Sequence, residues 1–232
     1  MIIGSGLLAK SFAKIYDKSN KVCIYAAGVS NSSCIDEHEF YRERERLNQT
    51  LSAHPDVDVF VYFGTCSTAD PEAATTPYVR HKLAMETLIK RHPKYLILRL
   101  PQVAGRTTNP HTLLNYLYAR ISRSESFTLW KNAHRNIIDV SDIVAIARTF
   151  IDFPDARLTT LNIANETNYT LPELVTGMER ITGKRAIFNL VERGSGYIID
   201  ISAIQSAIEK AGVKFGPDYL DRVLEKYYGK HD

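Results

Sequence analysis

The strongest constraint on the fold stands at the start of the chain. Gly4-Ser5-Gly6-Leu7-Leu8-Ala9 follows the apolar Met1–Ile3 and precedes Leu7, Leu8, Phe12, Ile15 and Tyr16 at helical spacing. It reads as a G-x-G-x-x-A turn between a strand and a helix. The first glycine permits a tight turn, and the second lets backbone approach a pyrophosphate. Ala9 is small enough for helix and strand to pack closely, and the helix start offers N–H groups and a positive dipole end. Such a corner is also compatible with a purely structural turn, but the strand–turn–helix context favours dinucleotide binding.

Beyond this turn, short apolar runs alternate with helical patterns, which predicts a mainly parallel sheet flanked by helices. Strands are expected at Val22–Ala27, at Val57–Gly64 and at Tyr95–Arg99, with a loop from Pro101 to Pro110. Helices are expected over 37–54, with the 42–46 charge run mostly a solvated face, and from Pro77 to about His92, with Leu83, Leu88 and Ile89 inward. A further helix carries Leu113, Leu114, Leu117 and Ile121. Elements shorten after about residue 150, so the expected division is a 1–150 core and a dependent 151–232 lobe of mixed α/β structure. The 232 residues are 44% hydrophobic and 24% charged, which excludes a disordered or fibrous chain. A balance of 29 basic and 26 acidic residues calls for no nucleic acid or membrane surface. The three cysteines, Cys23, Cys34 and Cys66, form no CxxC pair, which suits a reducing cytoplasm and suggests neither disulfide nor zinc.

Chemistry is suggested by Tyr78-Val79-Arg80-His81-Lys82, a Y-x-x-x-K at the start of a helix. The i, i+4 spacing puts phenol and ammonium on one helix face. A cation beside the phenol stabilises its phenolate, and lowering the tyrosine pKa by about three units takes about 4 kcal/mol. Thr65 stands at the carboxyl end of the preceding strand, where open α/β sheets bind ligands. Its hydroxyl can bond the oxygen that the tyrosine protonates or deprotonates.

With these three features in order, the sequence resembles the extended short-chain dehydrogenase/reductase family, also called the NAD-dependent epimerase/dehydratase family. Five further segments carry the resemblance: Tyr25-Ala26-Ala27-Gly28, Val61 to Thr65, Pro77 to Glu86, Leu98 to Gly105, and Arg135 to Asp142, with Leu161 to Ala164 following. The resemblance implies a Rossmann-like core with a small substrate lobe, an NAD or NADP cofactor, and a nucleotide-sugar substrate. It implies that Tyr78 is the acid/base, that Lys82 lowers its pKa and bonds the nicotinamide ribose, and that Thr65 orients the substrate oxygen. The cofactor would be lined by Gly4, Ser5, Gly6, Leu7, Leu8, Ala26, Ala27, Gly28, Leu100 and Pro101, together with Tyr78 and Lys82. Thr65, Cys66, Gln102 and Arg135 would face the substrate. Arg135 suits its diphosphate, though the residue alone reads equally well as a surface ion pair. Dimerisation through the helices near 37–54 and 78–92 and a role in surface-polysaccharide synthesis are further implications.

Two departures sharpen the reading. Family members commonly run to about 300 residues and place two strands between the glycine-turn helix and the Ala-Ala strand. Here Gly6 and Ala26 are 20 positions apart, room for one helix and one strand, so the adenosine-side strands are expected to be deleted. Neither the acidic residue that grips an NAD ribose nor an arginine for NADP stands at the end of Val22–Ala27. The second departure is Cys66-Ser67 where dehydratases carry Asp-Glu, which argues against dehydration. The expected activity is reduction of a 4-keto sugar. The alternatives are 4-epimerisation, a coupled epimerase-reductase using Cys66 and His111, or a non-catalytic nucleotide-binding regulator.

Overall fold

The computed structural model describes residues 1–153 and 158–230. The first half follows the predicted alternation: β1 (Ile2–Ile3), α1 (Leu7–Tyr16), β2 (Val22–Tyr25), α2 (Glu37–Ala53), β3 (Val59–Thr65), α3 (Pro77–Ile89) and β4 (Tyr95–Leu100). Then come β5 (Gln102–Ala104), α4 (Leu113–Ser122), β6 (Phe127–Trp130), β7 (His134–Asp139), α5 (Val140–Ile151) and β8 (Thr159–Asn162). The chain continues through β9 (Asn168–Thr170), α6 (Leu171–Thr182), β10 (Phe188–Val191), α7 (Gln205–Lys210) and α8 (Tyr219–Tyr228).

The main sheet has the order β1-β2-β3-β4-β8 with every pairing parallel. Helices cover both faces. Phe12 and Tyr16 of α1 and Ile143 and Ile146 of α5 pack on Ile24, Val59, Val61, Phe63 and Leu98. On the other face, Leu47 of α2 and Met85 and Ile89 of α3 pack on Cys23, Tyr25, Phe60, Tyr62 and Ile97. Alternate residues of β3 therefore enter different cores, which is why all seven are buried and the strand reads as an unbroken apolar run.

Sheet order decides the question of the missing strands. In a complete dinucleotide-binding sheet the second strand lies on the outer side of the first. Here β2 lies on the inner side, between β1 and β3, and β1 is the sheet edge among the described residues. Among the described residues no strand lies outside β1, and the 20 positions from Gly6 to Ala26 lead straight to the inner strand.

The chain crosses the sequence division near residue 150 in both directions. β8 completes the main sheet, and Ile204, Ala207 and Ile208 join its core. Conversely, Leu114, Leu117 and Ile121 of α4 and Phe127 and Leu129 of β6 share a second core with α6 and α8. Gln102 to Ala104, expected as loop, form β5 of a three-stranded sheet ordered β5-β7-β9.

Two burial expectations need correction. Leu83 is 38% exposed, because the inward face of α3 is Tyr78, Val79, Lys82, Met85, Glu86 and Ile89, and Leu83 lies a hundred degrees off it. The 42–46 charge run is not uniformly solvated: Glu43 is 2% exposed. It shares the buried face of α2 with Leu47 and Thr50, at i, i+4 and i+7.

Candidate active site

One cavity of about 450 Å³ opens at the carboxyl ends of β1 to β4. Its walls include Gly4, Ser5, Gly6, Leu7 and Leu8 from the glycine turn and Ala26, Ala27 and Gly28 after β2. Thr65, Tyr78, Lys82, Leu100, Pro101 and Gln102 line the same space. All twelve residues expected at a cofactor, and two of the four expected at a substrate, thus converge on one cavity. His111 also lines it.

The glycine turn has the geometry its residues predict. Gly4 has φ +129°, and a Cβ there would come within 2.4 Å of the Ala26 carbonyl oxygen. Gly6 has open space where a Cβ would point. The helix α1 that follows carries no side-chain cap and no acidic residue in its first turn. An open, positively polarised helix start beside a glycine is the donor set a pyrophosphate requires. The residues present therefore fit the phosphate arm of a dinucleotide.

At the other end, β3 delivers Thr65 as its last residue and α3 delivers Tyr78 and Lys82 from its first turns. Thr76 caps α3 by accepting a hydrogen bond from Val79 N, and Pro77 occupies its first turn, so the phenol is fixed near the strand end. Tyr78 is buried and lines the cavity together with Thr65, which is buried as well. Thr65 Oγ1 accepts from Ser67 N at 3.1 Å.

Lys82 has a buried acidic partner. Its ammonium lies 3.3 Å from Glu43 Oε1 and 4.5 Å from the Tyr62 ring centroid. Glu43 is held on all sides: Oε1 also accepts from the Tyr62 hydroxyl at 2.8 Å, while Oε2 accepts from Val29 N at 2.6 Å and meets His81 Nε2 at 2.9 Å. Burial by itself would raise the Glu43 carboxyl, but the Lys82 charge and the bonds from His81 and Val29 overrule it and hold it at about 2. Tyr78 is pushed up to about 12, chiefly by burial. The Thr65 side chain pulls it down, and the Glu43 charge pushes it up again. In this arrangement burial is the largest influence on the phenol.

Sequence reasoning missed Glu43 and His81. A signal existed for Glu43, which falls three positions after Phe40 and four before Leu47 on the apolar stripe of α2. Its polar neighbours Arg42, Arg44 and Arg46 concealed it.

Cys66 and Arg135 lie elsewhere. Cys66 is 1% exposed, in a small cluster with Ala164 and Ile199, and its thiol donates to the Arg99 carbonyl at 3.2 Å. Burial pushes that thiol far above its ordinary range. Arg135 lines a second cavity with Asp70, Thr76, Trp130, Glu192 and Arg193. The two spaces are neighbours: Tyr197 lines the first, Ser195 lines the second, and Tyr197 feels the Arg135 charge.

Among the described residues, no helix is long and apolar enough to cross a membrane. No curated protein matches the sequence. Solved structures match over most of the chain. UDP-glucuronic acid 4-epimerase from Bacillus cereus, in complex with UDP-glucuronic acid and NAD, superposes with a TM-score of 0.74 at 18% identity. That match covers 96% of this chain and 77% of the other. UDP-glucose 4-epimerase from Thermotoga maritima, with UDP-glucose, gives 0.68 at 17% identity, covering 92% and 78%. RMD from Pseudomonas aeruginosa, complexed with NADPH, gives 0.65 at 15% identity, covering 93% and 83%. At these identities the likeness shows the fold. The sequence profile of the NAD dependent epimerase/dehydratase family matches residues 12–164, more than half of the chain, and the protein belongs to that family.

Proposed function

We propose that the protein is an NAD(P)-dependent oxidoreductase of a nucleotide-activated sugar, reducing a 4-keto group with Tyr78 as the proton donor. The observation that carries this reading is that buried Thr65 and Tyr78 line the same cavity as the Gly4–Gly6 turn. A dinucleotide laid along the glycine turn supplies the hydride when bound. Tyr78 gives its proton to the carbonyl oxygen, and Thr65 holds that oxygen in line. Gly4 to Leu8, Ala26 to Gly28, Leu100 and Pro101 would hold the cofactor, and Lys82 its nicotinamide ribose. Gln102 would meet the sugar. The neighbouring cavity would take the nucleotide of the substrate, with Arg135 on its diphosphate. Residues 151–232 would contribute the substrate lobe.

Cys66 turns away from the cavity, which counts against a coupled epimerase-reductase. Hydride return to the opposite face, 4-epimerisation, uses the same Thr65, Tyr78 and Lys82 and is the second reading. It is the activity named for two of the structural neighbours. A cytoplasmic setting and a part in polysaccharide synthesis belong to the same proposal.

Thermal unfolding with millimolar NADH, NADPH and a panel of nucleotide sugars tests it. A ligand at one hundred times its Kd stabilises by about 2.7 kcal/mol, which raises Tm by roughly 5–10 °C for a domain of this size. At least one dinucleotide is expected to give such a shift. If none moves Tm, the oxidoreductase reading fails.

A further inference from the structure

Neither an acidic residue nor an arginine stands at the end of Val22–Ala27 to meet the adenosine of a dinucleotide. The fold brings arginines to the cavity from another element. Of the three in the 42–46 run of α2, Arg42 and Arg46 line the cavity and Arg44 does not. Helical spacing explains the division. Arg46 and Arg42 lie about 60° and about 100° to one side of Glu43, and Phe40 lies about 60° to the other. Phe40 stacks on His81 of α3, with 4.5 Å between ring centroids. The flank that carries Arg42 and Arg46 is therefore the one turned away from α3.

That flank faces the sheet edge. The Tyr25 hydroxyl, from the end of β2, donates to the Glu43 carbonyl at 3.1 Å, and Tyr25 pairs with Ile3 of β1. Met1 and Ile3 pack against the cluster that contains Leu47 of α2. On the side of α2 away from α3 the sheet ends at β1 among the described residues. Lys82 of the cavity wall is paired with Glu43 and Arg42 with Glu39, while Arg46 is exposed and has no ion pair among the described residues. Glu43 is the carboxylate of that wall, and it is buried and taken by Lys82 and His81.

The chemistry of the two dinucleotides then separates them. A free ribose 2′-hydroxyl is gripped by a carboxylate, and a ribose 2′-phosphate is accommodated by an arginine. This end of the cavity offers a guanidinium without an ion pair, and its one carboxylate is already engaged. The glycine turn lies between the two ends, with Thr65 and Tyr78 toward β3 and the arginine flank toward β1. We propose that Arg46, reinforced by the charge of Arg42, reads a ribose 2′-phosphate, so that the protein selects NADP(H) over NAD(H). A planar guanidinium meets phosphate oxygens with paired charge-assisted hydrogen bonds, a geometry that neither a hydroxyl nor the engaged Glu43 can replace. The inference rests on the oxidoreductase reading for the presence of a dinucleotide and adds which of the two it is.

Binding alone tests it, without turnover. NADPH and NADH are titrated into the whole protein, into Arg46→Ala and into Arg42→Ala, and the fluorescence of the reduced nicotinamide reports each Kd. The wild type is expected to bind NADPH about tenfold more tightly than NADH, the worth of a hydrogen bond to a charged group. Arg46→Ala is expected to lose about tenfold for NADPH and nothing for NADH. Arg42→Ala is expected to lose less, because Arg42 is already engaged by Glu39. In competition, 2′,5′-ADP is expected to displace NADPH from the wild type at lower concentration than 5′-AMP, and to lose that advantage in Arg46→Ala. Should Arg46→Ala not fold, Arg46→Gln takes its place, and the wild-type preference and the competition stand without it. Equal or tighter binding of NADH to the wild type overturns the proposal. So does an equal loss of both dinucleotides in Arg46→Ala, which would put the guanidinium on a phosphate common to the two, and so does a larger loss in Arg42→Ala. If neither dinucleotide binds, the oxidoreductase reading falls and takes this inference with it. If both bind without preference, that reading stands and this inference alone falls.

Discussion

The two ends of the cavity are built on opposite principles. At the glycine turn, β1 is two residues long and stands at the sheet edge, α1 begins without a cap, and Gly6 faces open space. At the strand–helix end, Thr65, Tyr78, Lys82, Glu43 and His81 are all buried, and Glu43 is bonded to both Lys82 and His81. One end leaves its donors for a ligand; the other satisfies its charges internally. The comparison teaches where each kind of substitution should act. Changes at the open end should alter ligand affinity, and changes at the closed end should alter chemistry and stability.

The most severe test of that division is Tyr78→Phe. A positioned acid/base contributes roughly 10²–10⁴-fold, so turnover is expected to fall by that factor while the urea midpoint and circular dichroism hold. Wild-type turnover in this variant would remove Tyr78 from the mechanism and with it the closed end's claim to the chemistry.

Acid stability comes next. Glu43 is held at about 2 in the folded protein, against an ordinary 4.5. A carboxylate depressed by folding stabilises fully above its unfolded value, and that stabilisation is lost as pH falls through the folded value. The contribution is about 3 kcal/mol. Urea midpoints at successive pH values should show the wild type losing that much more than Glu43→Gln between about pH 5 and pH 2. Equal losses in the two proteins would mean that the closed end is not held by this charge.

The smallest effects separate two glycines of the open end. Gly4→Ala is expected to cost at least about 1–3 kcal/mol, because φ is +129° and the new Cβ would meet the Ala26 carbonyl. Gly6→Ala should change stability by no more than about 0.5 kcal/mol, since nothing lies within 4 Å of its Cβ position. The Gly6 variant should instead weaken dinucleotide binding, read as a smaller ligand-induced rise in Tm. Retained binding in Gly6→Ala would show that the open space is not where the pyrophosphate lies.

Much of this was legible in the residues. The apolar run of β3 marks a strand covered on both faces. Thr76-Pro77 marks the start of α3, and the Gly6–Ala26 spacing marks a sheet short of its outer strands. These are local signals, set by a turn, a cap or a period. Other features were hidden for a physical reason. Leu83 is as apolar as Leu88, and only packing shows that it lies off the buried face of α3. β8 belongs to the main sheet although it follows four elements that build other layers, because parallel pairing joins residues distant in sequence.

The amino-acid sequence by itself determined that a glycine turn, a threonine at a strand end and a Y-x-x-x-K helix start would share one rim, since each follows from backbone geometry and helical spacing. Tertiary structure alone decided the partner of Lys82. The sequence places an ammonium four residues after a phenol and predicts that it acts on that phenol. The fold brings in Glu43 from 39 positions away. A buried charge is costly without an opposite charge at hydrogen-bond distance, and only the fold can bring one from so far along the chain.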